Sequence, residues 1–235
     1  MDIETLVKNY HTPAAAVRAV DAAKIALLVG ISGAGKDTIK KALLQQGGFG
    51  EVISHTTRAP RENGGVMEQD GVDYHFIDMD TARQMVENGE FVESKFVHGT
   101  VYGTSIAGVL EAGSQGVAIT DIDVQGVAEY KEISEEVVAI FVIPPSYDLW
   151  VERLKQRYST TEEFEREWPK RRESAIMELE RALEVPYYHC VINDDLARAV
   201  HVSAGIAKRD DMFTRQDDEA RIVARDLLNE IKERG

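Results

Sequence analysis

Apolar residues fall along this chain in two rhythms. Ile25-Ala26-Leu27-Leu28-Val29 and Val137 to Ile143 are continuously apolar, and Val117-Ala118-Ile119-Thr120 and the weaker Val191-Ile192 are shorter runs of the same kind. Such runs predict strands buried on both faces, as in a parallel sheet. Between and after them lie stretches with helical spacing near 36–45, 105–112, 146–157, 170–184 and 195–207. Strand and helix alternating in this order predict an α/β domain around a parallel sheet. Residues 51–104 break the rhythm: short strand-like pieces such as Tyr74-His75-Phe76 alternate with glycine-containing turns, which predicts a small mixed insertion. Residues 1–23 read as a helical preface. Thr12-Pro13 is a good helix start, because Thr can cap free N–H groups and Pro at the first helical position gives up no hydrogen bond. At the other end, Ala220, Val223, Ala224, Leu227, Leu228 and Ile231 form an amphipathic stripe, either packed on the chain's own core or forming a dimer contact. The polar segment 158–169, ending in Trp168-Pro169, falls between two helical stretches and reads as a mobile lid or a solvated linker.

Composition narrows the classes. The chain has 235 residues, 43% of them hydrophobic, enough for a proper core, and its length suits one large domain with appendages. With 41 acidic against 27 basic residues the net charge is −14, which argues against a nucleic-acid partner. A single cysteine cannot form an internal disulfide and fits a reducing cytoplasm. The N-terminal MDIETLVKNYHTP lacks the apolar region of a signal peptide, and the apolar runs are too short to span a bilayer, so a cytoplasmic protein without membrane attachment is expected.

The strongest local signal is Gly30-Ile31-Ser32-Gly33-Ala34-Gly35-Lys36, which fits the G-x-x-x-x-G-K pattern of a P-loop between a buried strand and a helix. Glycines let backbone N–H groups turn inward around phosphate oxygens, the helix points its positive end at them, and Lys36 adds a full charge. Asp37 stands where Ser or Thr normally offers a hydroxyl to Mg²⁺. It could ligate the metal directly or through water, point away and leave the task to Thr38, or weaken ATP binding by its charge.

Further segments stand in order along the chain: Ser54-His55-Thr56-Thr57-Arg58-Ala59-Pro60-Arg61, Gly71 to Phe76, Phe91-Val92-Glu93, Tyr102-Gly103-Thr104-Ser105, Asp121 to Gly126, and Ile192 to Leu196. With the phosphate loop, they closely resemble the guanylate kinases over roughly residues 24–207. The resemblance implies a P-loop nucleoside monophosphate kinase fold: an α/β, parallel-sheet core (24–207), a small mixed GMP-binding subdomain at about 54–104, and a lid at about 158–169. The helical preface (1–23) and an amphipathic C-terminal extension (208–235) lie outside it. The implied reaction moves the γ-phosphoryl group of Mg²⁺·ATP to GMP, or dGMP, giving ADP and GDP. Positions matching Ser54, Glu93, Thr104 and Asp121 line the family's base pocket. Guanine offers two donors, N1–H and N2–H₂, to a carboxylate such as Glu93, and an O6 acceptor to hydroxyls such as Ser54 and Thr104; adenine would leave the carboxylate unpaired. Arg58 and Arg61 can converge on the GMP phosphate with planar forks, and Tyr74 and Tyr102 match tyrosines that bind it. Arg153, Arg157 and Arg171 match arginines that close over the transferred group, with Arg172 the adjacent alternative to Arg171. Asn193 matches a position near the adenine. Asp123 either orients water around Mg²⁺ or caps the helix that begins at Val124.

Two departures stand out. The turn between Arg61 and Tyr74 is a few residues longer than the family pattern, and Asp37 also occurs in the related ribose 1,5-bisphosphate kinases, whose sugar substrate needs no guanine readers. A non-catalytic guanylate-kinase-like scaffold is the third reading, although such modules typically lose the phosphate loop. Since both substrates are anions, the kinase reading requires Lys36, Arg58, Arg61, Arg153, Arg157 and Arg171 to converge on a cleft in an otherwise acidic protein. A monomer or homodimer is expected.

Overall fold

The structure is a computed structural model that describes residues 1–63, 65–210 and 217–234. Parts of the 62–73 turn and of the 208–235 extension therefore lie outside the described residues. In chain order the elements are α1 (Ile3–Lys8), α2 (Ala14–Ala23), β1 (Ala26–Val29), α3 (Lys36–Gln46), β2 (Phe49–Glu51), β3 (His55–Thr56), β4 (Glu62–Asn63), β5 (Val66–Met67), β6 (His75–Phe76), α4 (Met79–Glu87), β7 (Phe91–Val97), β8 (Thr100–Ser105), α5 (Ile106–Ser114), β9 (Val117–Asp121), α6 (Val124–Ile133), β10 (Val138–Ile143), α7 (Tyr147–Lys155), α8 (Thr161–Glu184), β11 (Tyr188–Ile192), α9 (Leu196–Ala207) and α10 (Asp217–Arg234). They form two compact units. One comprises Met1–Ile25, Gly47–Thr120 and Glu132–Val137; the other comprises Ala26–Gln46, Asp121–Lys131 and Val138–Gly235.

The second unit carries the phosphate loop. Its strands run parallel: β1 pairs with β10 from Ala26 opposite Val138 to Val29 opposite Phe141, and β10 pairs with β11. All of β1 and β10 is buried, as their continuous apolar runs predict. Leu27, Leu28, Phe141, Trp150 and Tyr188 are fully enclosed, each contributing roughly 1.5–3 kcal/mol through burial. On α10, Ala220, Ala224, Leu227, Leu228 and Ile231 of the apolar stripe are buried, so the helix spends that face on its own unit. Its side chains also reach β11: Asp217 accepts from the Cys190 N–H at 2.7 Å and Arg221 donates to the Tyr188 carbonyl at 2.6 Å.

The first unit holds the parallel pair β2–β9 and a four-stranded mixed sheet in the order β6-β3-β8-β7. In the mixed sheet β3 is parallel to β6 and antiparallel to β8, and β7 is antiparallel to β8. The expected mixed insertion is thus a sheet with α4 beside it, and the long turn after Arg61 includes the hairpin β4–β5.

Two local expectations change. Thr12 does not cap α2: Pro13 is the N-cap residue and the Thr12 hydroxyl donates to the Val92 carbonyl at 2.9 Å. The 158–169 segment is not a stretch between helices, because α8 begins at Thr161, capped by Thr160, and continues through Pro169. Proline disfavours a helix interior, but Phe164 is buried and Trp168 packs between it and Trp150, with both ring pairs at 5.4 Å. Aromatic burial outweighs the local break there.

Candidate active site

The phosphate loop leaves β1 at Gly30 and enters α3 at Lys36. Two glycines are dictated by close approach as well as by backbone angle. Gly30 has φ of 138°, and a Cβ there would lie 2.3 Å from the Val142 carbonyl oxygen. Gly35 has φ of 95°, and a Cβ there would lie 2.2 Å from Asn193 Nδ2. The same Nδ2 donates to the Ala34 carbonyl at 2.8 Å, and Trp150 Nε1 donates to the Ser32 carbonyl at 2.8 Å. Asn193 and Trp150 thus hold two carbonyls of the loop, which keeps its glycine-rich backbone in one curve.

Lys36 donates to the Gly30 carbonyl and lies 3.5 Å from that of Ile31. Burial holds its ammonium below the usual lysine range, against the pull of the Glu178, Asp37 and Asp121 carboxylates. Glu178, on α8, is itself raised by burial, opposed by its bond with the Ser174 hydroxyl and by Lys36. Sequence reasoning missed Glu178. Its signal was a carboxylate at the edge of the buried α8 stripe formed by Ala175, Leu179 and Ala182.

A cleft of about 490 Å³ opens beside the loop, lined by Gly33, Gly35, Asp37, Thr38, Arg153, Arg157 and Asn193 among others. Its size falls in the range of small-molecule sites, roughly 300–1,000 Å³. Arg157 Nη1 donates to Ser32 Oγ at 2.8 Å and Arg153 Nη2 to the Asn193 carbonyl at 3.1 Å. Arg153 Nη1 is buried with no acceptor among the described residues, a donor suited to an anion. Arg171 Nε donates to the Tyr158 hydroxyl at 2.9 Å. Arg172 is committed elsewhere: it donates to the Ile231 and Lys232 carbonyls at the end of α10.

The acidic candidates differ in surroundings. Asp37 lies in the first turn of α3 and lines the cleft. Asp123 Oδ1 accepts from the Gly126 N–H at 2.7 Å, so one of its oxygens caps α6. Asp121, in the same unit as the loop, pairs with Lys40 at 2.6 Å. Among the described residues no three His, Cys, Asp or Glu side chains form a metal cluster.

The other unit gathers the remaining candidates on the mixed sheet. Glu93 stands directly opposite Thr104 in the β7–β8 register, and Ser54 Oγ is 3.4 Å from Thr104 Oγ1. Gly103 admits the Phe91 ring, since a Cβ there would lie 2.8 Å from it. Tyr74 and Tyr102 meet edge to face at 6.2 Å, and the Arg58 guanidinium lies 5.3 Å from the Tyr74 ring centre. Arg58 grips Glu68 with both arms, at 2.7 and 2.9 Å, and the Arg61 N–H donates to the same carboxylate at 2.8 Å. The hydrogen bond to Glu68 raises the Arg58 guanidinium further and lowers the carboxyl of Glu68. Sequence reasoning treated the long turn as extra length and missed Glu68, whose carboxylate meets the planar Arg fork and a backbone donor as a phosphate would. Of the six basic candidates, Arg58 and Arg61 belong to this unit and Lys36, Arg153, Arg157 and Arg171 to the other.

Comparison with known proteins identifies the family. The guanylate kinase family model matches residues 22–207. Guanylate kinase 1 of Oryza sativa subsp. japonica is 40% identical over 72% of this chain, which spans 44% of that relative's length. Guanylate kinase of Sus scrofa is 37% identical over 74% of this chain and 86% of its own length. The crystal structure of guanylate kinase from Anaplasma phagocytophilum is similar with a TM-score of 0.55 and 26% identity, covering 81% of this chain and 87% of that one. The chain belongs to the guanylate kinase family.

Proposed function

We propose that this protein is an ATP:GMP phosphotransferase, moving the γ-phosphoryl group of Mg²⁺·ATP to GMP, and to dGMP, with release of ADP and GDP. The observation that carries the reading is the acceptor set: a carboxylate (Glu93) opposite a hydroxyl (Thr104), with a second hydroxyl (Ser54) 3.4 Å from it. Guanine needs an acceptor for N1–H and N2–H₂ and a donor for O6. A sugar phosphate would leave these groups unmatched.

In the reaction, an oxygen of the GMP phosphate forms a bond to the γ-phosphorus while the bond to the β–γ bridging oxygen breaks and ADP leaves. The acceptor is already a dianion near neutral pH, so positioning and charge stabilisation do most of the work. The Gly30–Gly35 backbone and Lys36 hold the donor phosphates. Arg153, with its unpartnered buried Nη1, Arg157 and Arg171 stabilise charge on the transferred group. Arg58, Arg61, Tyr74 and Tyr102 hold the GMP phosphate, which displaces Glu68 from Arg58. Asn193 supports the loop beneath the nucleotide. Asp121, which pairs with Lys40, is the further residue that the family resemblance assigns to GMP. Mg²⁺ carried with ATP would supply charge neutralisation at its phosphates, and Asp37, which lines the cleft, and Asp123 are the carboxylates that would hold it. Residues 158–169, which comprise the start of α8 and the turn before it, form the lid that would exclude water as a competing acceptor. No helix among the described residues is long and apolar enough to cross a membrane, and we place the reaction in the cytoplasm.

A coupled ADP assay tests the reading. Purified protein with Mg²⁺·ATP is expected to turn over with GMP and, by roughly two orders of magnitude or more in kcat/KM, to disfavour AMP and CMP, since a buried reader left unpaired discriminates on that scale. Folded protein with no GMP-dependent turnover would refute it.

A further inference from the structure

Residues 1–21 precede the stretch that matches the family, and the proposed reaction makes no use of them. Their packing gives them a use. β7 is the outer strand of the mixed sheet, and its register with β8 slips: Phe91 pairs with Ser105 and Glu93 with Thr104, which leaves Val92 as an extra residue. Such a bulge frees backbone groups from the ladder and re-aims the side chains beside it. Buried backbone groups must find other partners, and here the N-terminal segment provides them. The Tyr10 hydroxyl donates to the Phe91 carbonyl at 2.6 Å and accepts from the Phe91 N–H at 3.1 Å. The Thr12 hydroxyl donates to the Val92 carbonyl at 2.9 Å. The Tyr10 ring packs with Leu6 against the cluster of Val7, Val86 and Phe91, so the hydroxyl is delivered by a half-buried, anchored side chain. Burial keeps this phenol above its usual range, opposed by the Phe91 hydrogen bond and reinforced by Glu90 and Glu93, so it remains a donor at neutral pH.

Three hydrogen bonds involving two hydroxyls therefore lock the two residues that immediately precede Glu93. We propose that Tyr10 and Thr12 are positioning residues for base selection: they hold the β7 bulge in the register that presents Glu93 to the guanine edge. This rests on the reading of Glu93 given above. The connection between α1 and α2 thereby acts on specificity through the strand's backbone without touching the nucleotide.

The test compares GMP with IMP, which lacks the 2-amino group that Glu93 would accept from. In the double variant Tyr10→Phe/Thr12→Val, KM for GMP is expected to rise and the GMP-over-IMP preference in kcat/KM to fall, each by about tenfold, the scale of losing a few backbone hydrogen bonds. KM for ATP should stay the same and kcat should hold within about twofold, because the donor side is not involved. A role in stability alone would lower the active fraction, and so apparent kcat, and leave KM and the preference unchanged. In a Glu93→Gln background the two substitutions should change the preference by less than about twofold, since coupled residues are non-additive. Thr12→Ser, which keeps the hydroxyl, should retain the wild-type preference. An unchanged GMP-over-IMP preference in the folded double variant overturns the proposal, as does an equal fall in the Glu93→Gln background. If the double variant does not fold, Tyr10→Phe alone is read the same way, with a shift of about threefold expected and no shift overturning the proposal. Wild-type protein that uses GMP and IMP equally well would remove the reading of Glu93 itself, a separate failure visible before any variant is made.

Discussion

Arg58 illustrates how one side chain can satisfy several demands. Its two arms are taken up by Glu68, its face lies near Tyr74 and Phe76, and its side chain is only 9% exposed. A planar fork held this way meets a carboxylate and a phosphate with the same geometry, which a lysine's point charge cannot reproduce. Arg58→Lys is therefore expected to raise KM for GMP about tenfold or more while KM for ATP is preserved, as steady-state kinetics with each substrate varied would show. An unchanged GMP KM would remove Arg58 from the phosphate site. The loop glycines, Lys36, Arg58 and Glu93 were legible in the sequence because each sits in a short motif whose spacing has a chemical reason. Glu68, Glu178 and Tyr10 were not. Each acts through a partner brought close by the fold: Arg58, Lys36 and the backbone of Phe91 respectively.

At the scale of elements, strands buried on both faces announced themselves as unbroken apolar runs, so β1, β9 and β10 could be read directly. The longest strands of the mixed sheet, β7 and β8, could not, because their positions carry polar and charged residues, the candidates Glu93, Tyr102 and Thr104 among them. α8 shows the opposite failure. Pro169 and the polar residues before it argue locally for a break, and the Phe164, Trp168 and Trp150 rings override that argument through tertiary burial. A pH effect belongs to this scale as well, at the β3–β6 pair. The His55 and His75 rings lie 4.7 Å apart and tilted by 37°, and burial, followed by the neighbouring His75, lowers His55 from its usual 6.5 to about 4, against the opposing pull of Asp70 and Glu90. Between these values the unfolded chain takes up a proton that the folded chain does not. The contribution is therefore complete above about pH 6.5, declines as the pH falls towards 4, and is constant below that. Because the ring is only partly buried, its size is of order 1 kcal/mol. Urea titrations should show a steeper loss of stability between pH 6.5 and 5 in the wild type than in His55→Gln. Equal slopes would mean that His55 titrates alike in both states.

For the whole molecule, net charge and local charge point in opposite directions. A total of −14 disfavours polyanionic partners, yet each unit brings cations together locally: Lys36, Arg153 and Arg157 around the phosphate loop, and Arg58, with Arg61 nearby, around Glu68. Composition could reveal the first fact but not the second, because clustering is a property of the fold. The same limit hid the N-terminal helices, whose composition marks them as helical but says nothing of the strand they secure. The ordered series of motifs made the family legible, and the proposed reading of guanine's hydrogen-bonding edge by Ser54, Glu93 and Thr104 would give that resemblance a physical basis. The most direct test of the account follows both products at once, by nucleotide chromatography of protein incubated with Mg²⁺·ATP and GMP, alongside Lys36→Met. ADP and GDP are predicted to appear in equal amounts, with kcat lowered roughly a hundredfold or more by Lys36→Met through the lost charge at the transferred phosphoryl group. ADP formed without GDP, or turnover unaffected by Lys36→Met, would contradict it.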